Sequence, residues 1–381
     1  MFVNRVNGKS RYKPMKKLPL FLGLTLLISC VGDKVQDQNI VSETTTEGTQ
    51  TTSESSANED TVAETWGQII EAPPETFFAA DLSDDVRNGV TNTLLVATAE
   101  WGNYGPLEYW VLGTDLKAAK DLTELFCERR SQLGQWEKSE CLSHHTDTNS
   151  NHNFESYRKK GADAIARERA STSMGRNGNR GWGIHLFISS YPLGFDKLFD
   201  SSPGGEQKTV FHEYFHAVQH AHIQSSDHDE RKALSGPVWF IEGGAEYMAQ
   251  TTVRKLWASG KLTTIDNSGL SSLEQIFENK MKNGKNTIEN NCPGVKLHDI
   301  TYGNDCETAA YDLGAWAVGY LLNKVGQTAL LDTFYPNLNE LGWEGAFQKT
   351  FGMSSKDFYA EFNLFLEKPL ADQLAILPKY D

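Results

Sequence analysis

The sequence has few cysteines, a shortage of basic residues and no long apolar run. Five of its 381 residues are cysteine, and no Cys-x-x-Cys spacing occurs, which argues against a cysteine-based metal site. Asp and Glu outnumber Lys and Arg by 50 to 36, so the chain lacks the basic surface that binds nucleic acid. No internal stretch reaches the length of a membrane-spanning helix. At 39% apolar and 23% charged residues, most of the chain has the composition of a globular protein with a sizeable core.

Residues 1–29 predict a signal peptide. Lys16 and Lys17 precede a short apolar run, Leu18 to Ile28, and Ser29-Cys30 follow, which is the order of a secretory signal. The sequence ending at Cys30 resembles a bacterial lipobox, in which the cysteine becomes the first mature residue and carries lipid. A plain secretory signal is the alternative.

Residues 30–65 predict a disordered tether. From about Asp33 the chain is rich in Ser, Thr, Glu, Asn and Gln and cannot bury enough apolar surface to offset its ordering entropy. Val31 follows the cysteine where, by resemblance to enteric lipoproteins, Asp would favour the inner membrane. We therefore expect an exported lipoprotein anchored by its lipid in the outer membrane, facing the periplasm or the cell surface.

Four cysteines remain, and they can pair in three ways. The local pairing joins Cys127 to Cys141 and Cys292 to Cys306, which closes two loops of equal span. Disulfides suit an exported protein, so we expect these two.

One segment carries a recognisable chemical motif. Residues 205–224 predict a helix with apolar residues at helical spacing, and His212-Glu213-x-x-His216 lies on it. Residues four apart share a helix face, so both imidazoles can reach one metal ion. Zinc lowers the pKa of bound water to about 7, and Glu213 is placed to act as the general base.

Two residues compete for the role of third ligand. His222 falls at the last position of the metzincin pattern, but Gln219 stands where that family has a helix-breaking glycine. In a continuous helix His222 lies about 80° around the axis from His212 and about 15 Å along it. The other candidate is Glu242, in an apolar helix predicted to begin near Pro237, with Glu246 four residues later on the same face.

His-Glu-x-x-His followed by a helix containing Glu-Gly-x-Ala-Glu-Tyr resembles the gluzincin metallopeptidases, over roughly residues 180–370. The resemblance implies one zinc ion held by His212, His216 and Glu242, with Glu246 as hydrogen-bond acceptor for a ligand histidine. Between the two motifs, Gln224 to Ser235 is interpreted as an inserted loop, because the spacing is longer than is usual in that clan. The resemblance also implies an oxyanion donor from a C-terminal helical lobe, for which we choose Tyr311, with Tyr302 and Tyr320 as rivals.

The remaining segments predict an α+β fold. Leu94 to Ala99, Leu107 to Leu112 and Trp182 to Ser190 are predicted as strands, the last either at the sheet edge, where it would bind extended peptide, or inside the sheet. Arg176 to Arg180 is predicted as a flexible loop. Helices are predicted at 116–131, 154–170 and 309–324, with two more near the C-terminus. His144, His145 and His152 are interpreted as residues of a solvated loop.

Together these features predict an N-terminal α+β region, 66–180, and a gluzincin-like region, 181–381. The expected architecture is a mixed sheet, the active-site helix and a mostly helical C-terminal lobe. The expected function is zinc-dependent hydrolysis of peptide or protein substrates, with endopeptidase action favoured because the Gly-x-Met-Glu-Asn motif of M1 aminopeptidases is missing. A non-catalytic zinc protein that binds a partner at the cell surface is the alternative.

Overall fold

A computed structural model describes residues 62–168, 172–196, 198, 203–262 and 272–380. The predicted signal peptide, Cys30 and most of the predicted tether lie outside these ranges. The fold is α+β, with a small mixed sheet and a majority of helix. No helix in the described ranges has the length and apolar character needed to cross a membrane. The division into regions at residue 180 stays a prediction.

The N-terminal half contains the sheet. Its elements are β1 (Glu75–Phe78), α1 (Asp84–Trp101), β2 (Leu107–Val111), α2 (Leu116–Gln132), α3 (Lys138–Thr146), α4 (Phe154–Ala166), β3 (Met174–Asn179) and β4 (Ile184–Ser189). The strand order is β1-β2-β4-β3, with β1, β2 and β4 parallel and β3 antiparallel to β4. Every residue of β2 and of β4 is buried, as expected for parallel strands covered on both faces.

The strand predicted at Trp182 to Ser190 is β4, and it lies inside the sheet. β3 lies beside β4 at one edge of the sheet, so the prediction of a flexible loop at Arg176 to Arg180 was wrong. Local sequence rich in Gly and Asn suggested a loop there, but six consecutive residues of β3 pair with β4. Tertiary pairing outweighed the weak strand propensity of this sequence.

The strand predicted at Leu94 to Ala99 was also wrong, because these residues lie in α1. The buried residues of this helix recur every three or four positions, at Val86, Val90, Leu94, Ala97 and Trp101. That is the period of a helix face rather than of a strand. Ser83 caps the helix by accepting a hydrogen bond from the backbone N–H of Val86.

The C-terminal half is helical. Its elements are α5 (Pro203–Ala221), α6 (His228–Ser235), α7 (Val238–Ala258), α8 (Leu273–Asn291), α9 (Glu307–Val325), α10 (Leu338–Phe351), α11 (Ser355–Leu366) and α12 (Leu370–Leu374). The segment predicted as an inserted loop contains α6, which begins at an Asp227 cap. Helices α7 and α9 make the most extensive contact between elements, and α5 packs against both α1 and α7. Helix α5, which carries the His-Glu-x-x-His motif, therefore lies between the two halves.

Two glycines set the separation of α7 and α9. A Cβ atom on Gly243 would lie 2.2 Å from the backbone of Gly314, and one on Gly314 would lie 2.4 Å from the carbonyl oxygen of Trp239. Both distances are far below ordinary van der Waals contact. Only glycine permits this approach of the helix backbones, which brings the N-terminal half of α9 beside Glu242.

Both predicted disulfides are confirmed. Cys127 joins Cys141 and Cys292 joins Cys306, each with a sequence separation of 14 residues. The first ties α2 to α3. The second ties the residue after α8 to the residue before α9.

Candidate metal centre

Helix α5 supplies two of the three converging side chains. On one face, Phe211 and Phe215 pack edge-on against Trp101 of α1, with ring centroids 5.3 and 5.0 Å apart. This contact fixes the rotation of α5 about its axis. His212 and His216 then face α7, and both are buried.

Helix α7 supplies the third side chain, Glu242. Its Oε2 lies 3.3 Å from Nε2 of His212 and 3.2 Å from Nε2 of His216. The two Nε2 atoms are 3.2 Å apart. The three atoms therefore form a nearly equilateral triangle, and among the described residues this is the group of His, Cys, Asp and Glu side chains able to hold a metal ion.

The triangle has the dimensions of a zinc site. Ligand atoms held 2.0–2.1 Å from a tetrahedral ion are about 3.3–3.4 Å apart, which is close to all three measured separations. Two imidazole nitrogens and one carboxylate oxygen are also the donor set of catalytic zinc sites, which leave the fourth position for water or substrate. The residues present fit a zinc ion in both geometry and chemistry.

Hydrogen bonds on the far side of each ring explain why both Nε2 atoms face the centre of the triangle. Nδ1 of His212 lies 3.0 Å from Oε2 of Glu246, and Nδ1 of His216 lies 2.7 Å from Oε1 of Gln219. Gln219 also donates its Nε2 hydrogen to the carbonyl of Ile241, at 3.0 Å, which fixes the orientation of its amide. Since both partners accept, each Nδ1 donates, and a neutral ring in this orientation would present the lone pair of its Nε2 to a metal ion.

The electrostatics of the site favour a cation at this point. Burial lowers the pKa of His212, but its hydrogen bonds to Glu242 and Glu246 outweigh burial and raise the pKa to about 9. Burial likewise raises the pKa of Glu242, yet the charges and hydrogen bonds of the two histidines hold that pKa well below its usual range. With a pKa of about 9 the ring of His212 keeps a proton at neutral pH, so positive charge lies between the converging atoms, and a bound metal cation would replace that proton.

Glu246 is the centre of a buried charge network that sequence reasoning missed. Lys208 approaches Oε2 of Glu246 at 3.1 Å and Lys280 approaches Oε1 at 2.8 Å, while Lys280 also pairs with Asp312 at 3.0 Å. Burial raises the pKa of Glu246, but the charges of Lys208 and Lys280 hold it well below the usual value. Lys208 lies four residues before His212, so helical spacing could have indicated it. Lys280 and Asp312 come from other helices and have no local signal.

Glu213, the predicted base, follows His212 on α5 and is buried. Its negative charge is one of the causes that raise the pKa of His212, which places the carboxylate within electrostatic reach of the triangle. A carboxylate that is close to a metal centre and is not one of its three donors can act as a general base.

The three tyrosine candidates lie in different environments. Tyr311 stacks on the ring of His212, with centroids 5.9 Å apart and planes 19° apart. Tyr302 donates its hydroxyl hydrogen to Oε1 of Glu242, at 2.5 Å. Tyr320 instead bonds Glu361 of α11, at 3.0 Å, among the phenylalanines of that helix. Two of the three candidates therefore border the triangle.

His222 does not approach the triangle. Its Nδ1 donates to the carbonyl of Val218, at 2.8 Å, and its ring packs beside Tyr104 and Tyr335. Helix α5 continues to Ala221 without the break that would bring His222 back to the metal. The metzincin arrangement is absent from the described residues.

The interpretation of His145 as a solvated loop residue was wrong. His145 lies in the last turn of α3, is 3% exposed, and packs against Phe126 and Phe154. Burial, with a smaller contribution from His144, lowers its pKa to about 3. The apolar scaffold around it comes from α2 and α4, which are distant in sequence from each other.

Comparison with known proteins places the site in context. Residues 206–363 match the profile of a peptidase family, M9, whose description is collagenase. The match runs from α5 into α11 and includes every residue of the triangle, Glu213, Tyr302 and Tyr311. No curated protein and no solved structure matches the chain. Over these residues the chain is similar to a family of zinc metallopeptidases of the gluzincin type.

Proposed function

We propose that this chain is a zinc endopeptidase that acts on protein or peptide substrates at the cell envelope. The observation that carries the proposal is the triangle of His212, His216 and Glu242, whose dimensions and donor chemistry fit zinc. The similarity to the collagenase family supports peptidase chemistry. Glu213 favours a catalytic over a structural zinc site, because a structural site needs no base and usually has four protein ligands.

In the proposed mechanism zinc, when bound, supplies Lewis acidity that polarises the scissile carbonyl and acidifies a water molecule. Glu213 accepts the proton of the attacking water and passes it to the leaving amine. Tyr311 is proposed to donate a hydrogen bond to the developing oxyanion. The stacking of Tyr311 on His212 and the existing bond of Tyr302 to Glu242 support this assignment.

The test is to incubate the purified chain with a diverse mixture of unfolded peptides and to identify new termini by mass spectrometry. Glu213→Gln is the matched control, because it keeps the size of the side chain and leaves the three donors intact. We expect cleavage by the parent alone, with internal cut sites. Cuts confined to chain ends would replace endopeptidase by exopeptidase action. Absence of cleavage with one zinc ion bound per chain would favour the non-catalytic partner-binding alternative.

The location is proposed from the sequence. The signal at residues 1–29, the lipobox ending at Cys30 and the tether at 30–65 support an exported lipoprotein of the outer membrane. Two disulfides in a chain of this size are in keeping with an oxidising compartment. Metabolic labelling with an alkyne fatty acid tests the anchor, with Cys30→Ala as control. We expect label in the membrane fraction of the parent and none in the variant; equal labelling would contradict lipidation at Cys30.

A further inference from the structure

The connection between α8 and α9 begins and ends at the two cysteines of a single disulfide. Cys292 directly follows α8 and Cys306 directly precedes α9, so the bond joins the ends of the two helices, with Cα atoms 5.9 Å apart. Residues 293–305 are thereby confined to a closed loop. The Cys127–Cys141 bond has the same sequence separation but lies between α2 and α3, in the sheet-containing half.

The closed loop reaches the proposed metal site through Tyr302. Its hydroxyl donates to Oε1 of Glu242, while Oε2 of the same carboxylate faces both imidazoles. One carboxylate oxygen is thus held by the loop and the other is directed to the metal position. Partners of this kind orient a ligand, and their loss typically weakens metal binding by about 10–100-fold.

The neighbours of Tyr302 are held by local contacts. The N–H of Gly303 donates to Glu307, in the first turn of α9, at 2.6 Å. The side chain of Asn304 donates to Thr301 within the loop, at 3.3 Å, and its Oδ1 accepts from the N–H of Cys306, at 3.0 Å. These bonds fasten the loop to the start of α9, at the residue that the disulfide ties to α8. The position of Tyr302 therefore depends on how the two helix ends are held.

We infer that the Cys292–Cys306 disulfide sets the affinity of the zinc site by holding Tyr302 against Glu242. Zinc loading then follows disulfide formation, so the chain acquires its metal tightly only after it has been oxidised. Tyr302 acts as a positioning residue and the closed loop as its support. This inference rests on the proposed role of Glu242 as a zinc ligand.

The test is the zinc affinity of the full chain, measured by competition with a chromogenic chelator. The variants are Tyr302→Phe, Cys292→Ala/Cys306→Ala, and the combination of both. We expect zinc binding about 10-fold weaker for Tyr302→Phe and for the cysteine pair. The combined variant should bind no more weakly than the cysteine pair alone, because residues that act through one contact give non-additive effects. Cys127→Ala/Cys141→Ala is the control, with an affinity within about twofold of the parent.

Circular dichroism establishes that each variant is folded before its affinity is compared. Strictly additive losses, or equal losses from the two cysteine pairs, would overturn the inference. Should Cys292→Ala/Cys306→Ala fail to fold, an unchanged affinity in Tyr302→Phe would still overturn the inference, because the disulfide would then have no route to the metal. A parent chain that binds no zinc would instead contradict the proposed function. Zinc binding that is equal in the parent and in all variants would overturn this inference alone.

Discussion

The two halves of the molecule bury charge in opposite ways. In the sheet-containing half, Glu108 of β2 is 3% exposed and the side chain of Arg130 is fully buried. Glu108 accepts from Arg130 at 2.5 Å and from Arg129 at 2.8 Å, and Arg129 also contacts Glu75. Two carboxylates and two guanidinium groups balance one another there. The cluster therefore carries no net charge.

The cluster around α5 and α7 is not balanced in this way. Its carboxylates belong to Glu213, Glu242, Glu246 and Asp312, and its ammonium groups to Lys208 and Lys280. When both imidazoles are neutral, as metal binding requires, four carboxylates against two ammonium groups leave two negative charges, which one divalent cation would neutralise. Without a metal, the proton that His212 holds offsets one of these charges. Uncompensated buried charge is costly. The cluster around α5 and α7 has an excess of negative charge, whereas the cluster around Glu108 has none. This difference indicates a cation-binding site in the first cluster.

The largest expected effect is on turnover. Glu213→Gln should lower kcat by about 10³-fold, because it removes the general base, while zinc stays bound. Peptide cleavage rates and zinc content by atomic emission measure the two quantities. Glu206→Gln is the control on the same helix, since burial already raises the pKa of Glu206 and the amide is a mild replacement. Turnover that survives in Glu213→Gln would remove Glu213 from the mechanism.

The next effect is on metal binding. Glu242→Ala removes a donor atom of the triangle and one of the two excess charges, so zinc affinity should fall by more than about 100-fold. Isothermal titration or chelator competition measures it. Retained affinity would show that the third donor lies elsewhere.

The balanced cluster should respond in stability rather than in metal binding. Glu108→Gln leaves the buried guanidinium of Arg130 without its anion, and we expect a loss of about 3 kcal/mol in the free energy of unfolding. Urea denaturation measures this loss. Glu128→Gln, which removes an exposed ion pair with Lys138, is the control and should change stability little. A fall in zinc affinity for Glu108→Gln would contradict the prediction that this cluster contributes to stability and not to metal binding.

Lys280→Met should enlarge the negative excess at the metal site. We expect the metal-free chain to lose about 2 kcal/mol of stability, through the lost charged hydrogen bonds to Glu246 and Asp312. Zinc should then raise the thermal midpoint by more than it does in the parent, because a more negative site gains more from a cation. Lys282→Met, on the exposed side of α8, is the control. An identical zinc-induced rise in Lys280→Met and parent would contradict the charge argument.

The smallest effect is expected for His222→Ala. The residue contacts Val218, Tyr104 and Tyr335 and does not face the triangle, so zinc should stay bound with nearly unchanged affinity. His216→Ala is the comparison and should lose zinc. The reverse result would restore the metzincin arrangement.

The sequence predicted the site best where the signal is local. His212 and His216 are one helical turn apart, as are Glu242 and Glu246, and the structure brings these four side chains together. Spacing within a helix determines which residues share a face, so two helices sufficed to propose a donor set.

The sequence did not predict features that depend on distant contacts. Lys280 reaches Glu246, and Asp312 reaches Lys280, only because α8 and α9 pack beside α7. The strand β3 has a loop-like composition and becomes a strand by pairing with β4. Tyr302 and Tyr311 could be named from the resemblance, but only the fold shows that one holds Glu242 and the other stacks on His212.

The contact of Gly243 with Gly314 has a consequence for how this site could change. Gly243 adjoins Glu242, and Gly314 is three residues after Tyr311. The close contact of the two glycines therefore sets the distance between the helix that carries Glu242 and the helix that carries Tyr311. A single methyl group on either would have to push the helices apart by roughly 1–2 Å to reach ordinary contact. The separation of these two helices is thus adjustable by the smallest possible substitution, without replacing Glu242 or Tyr311.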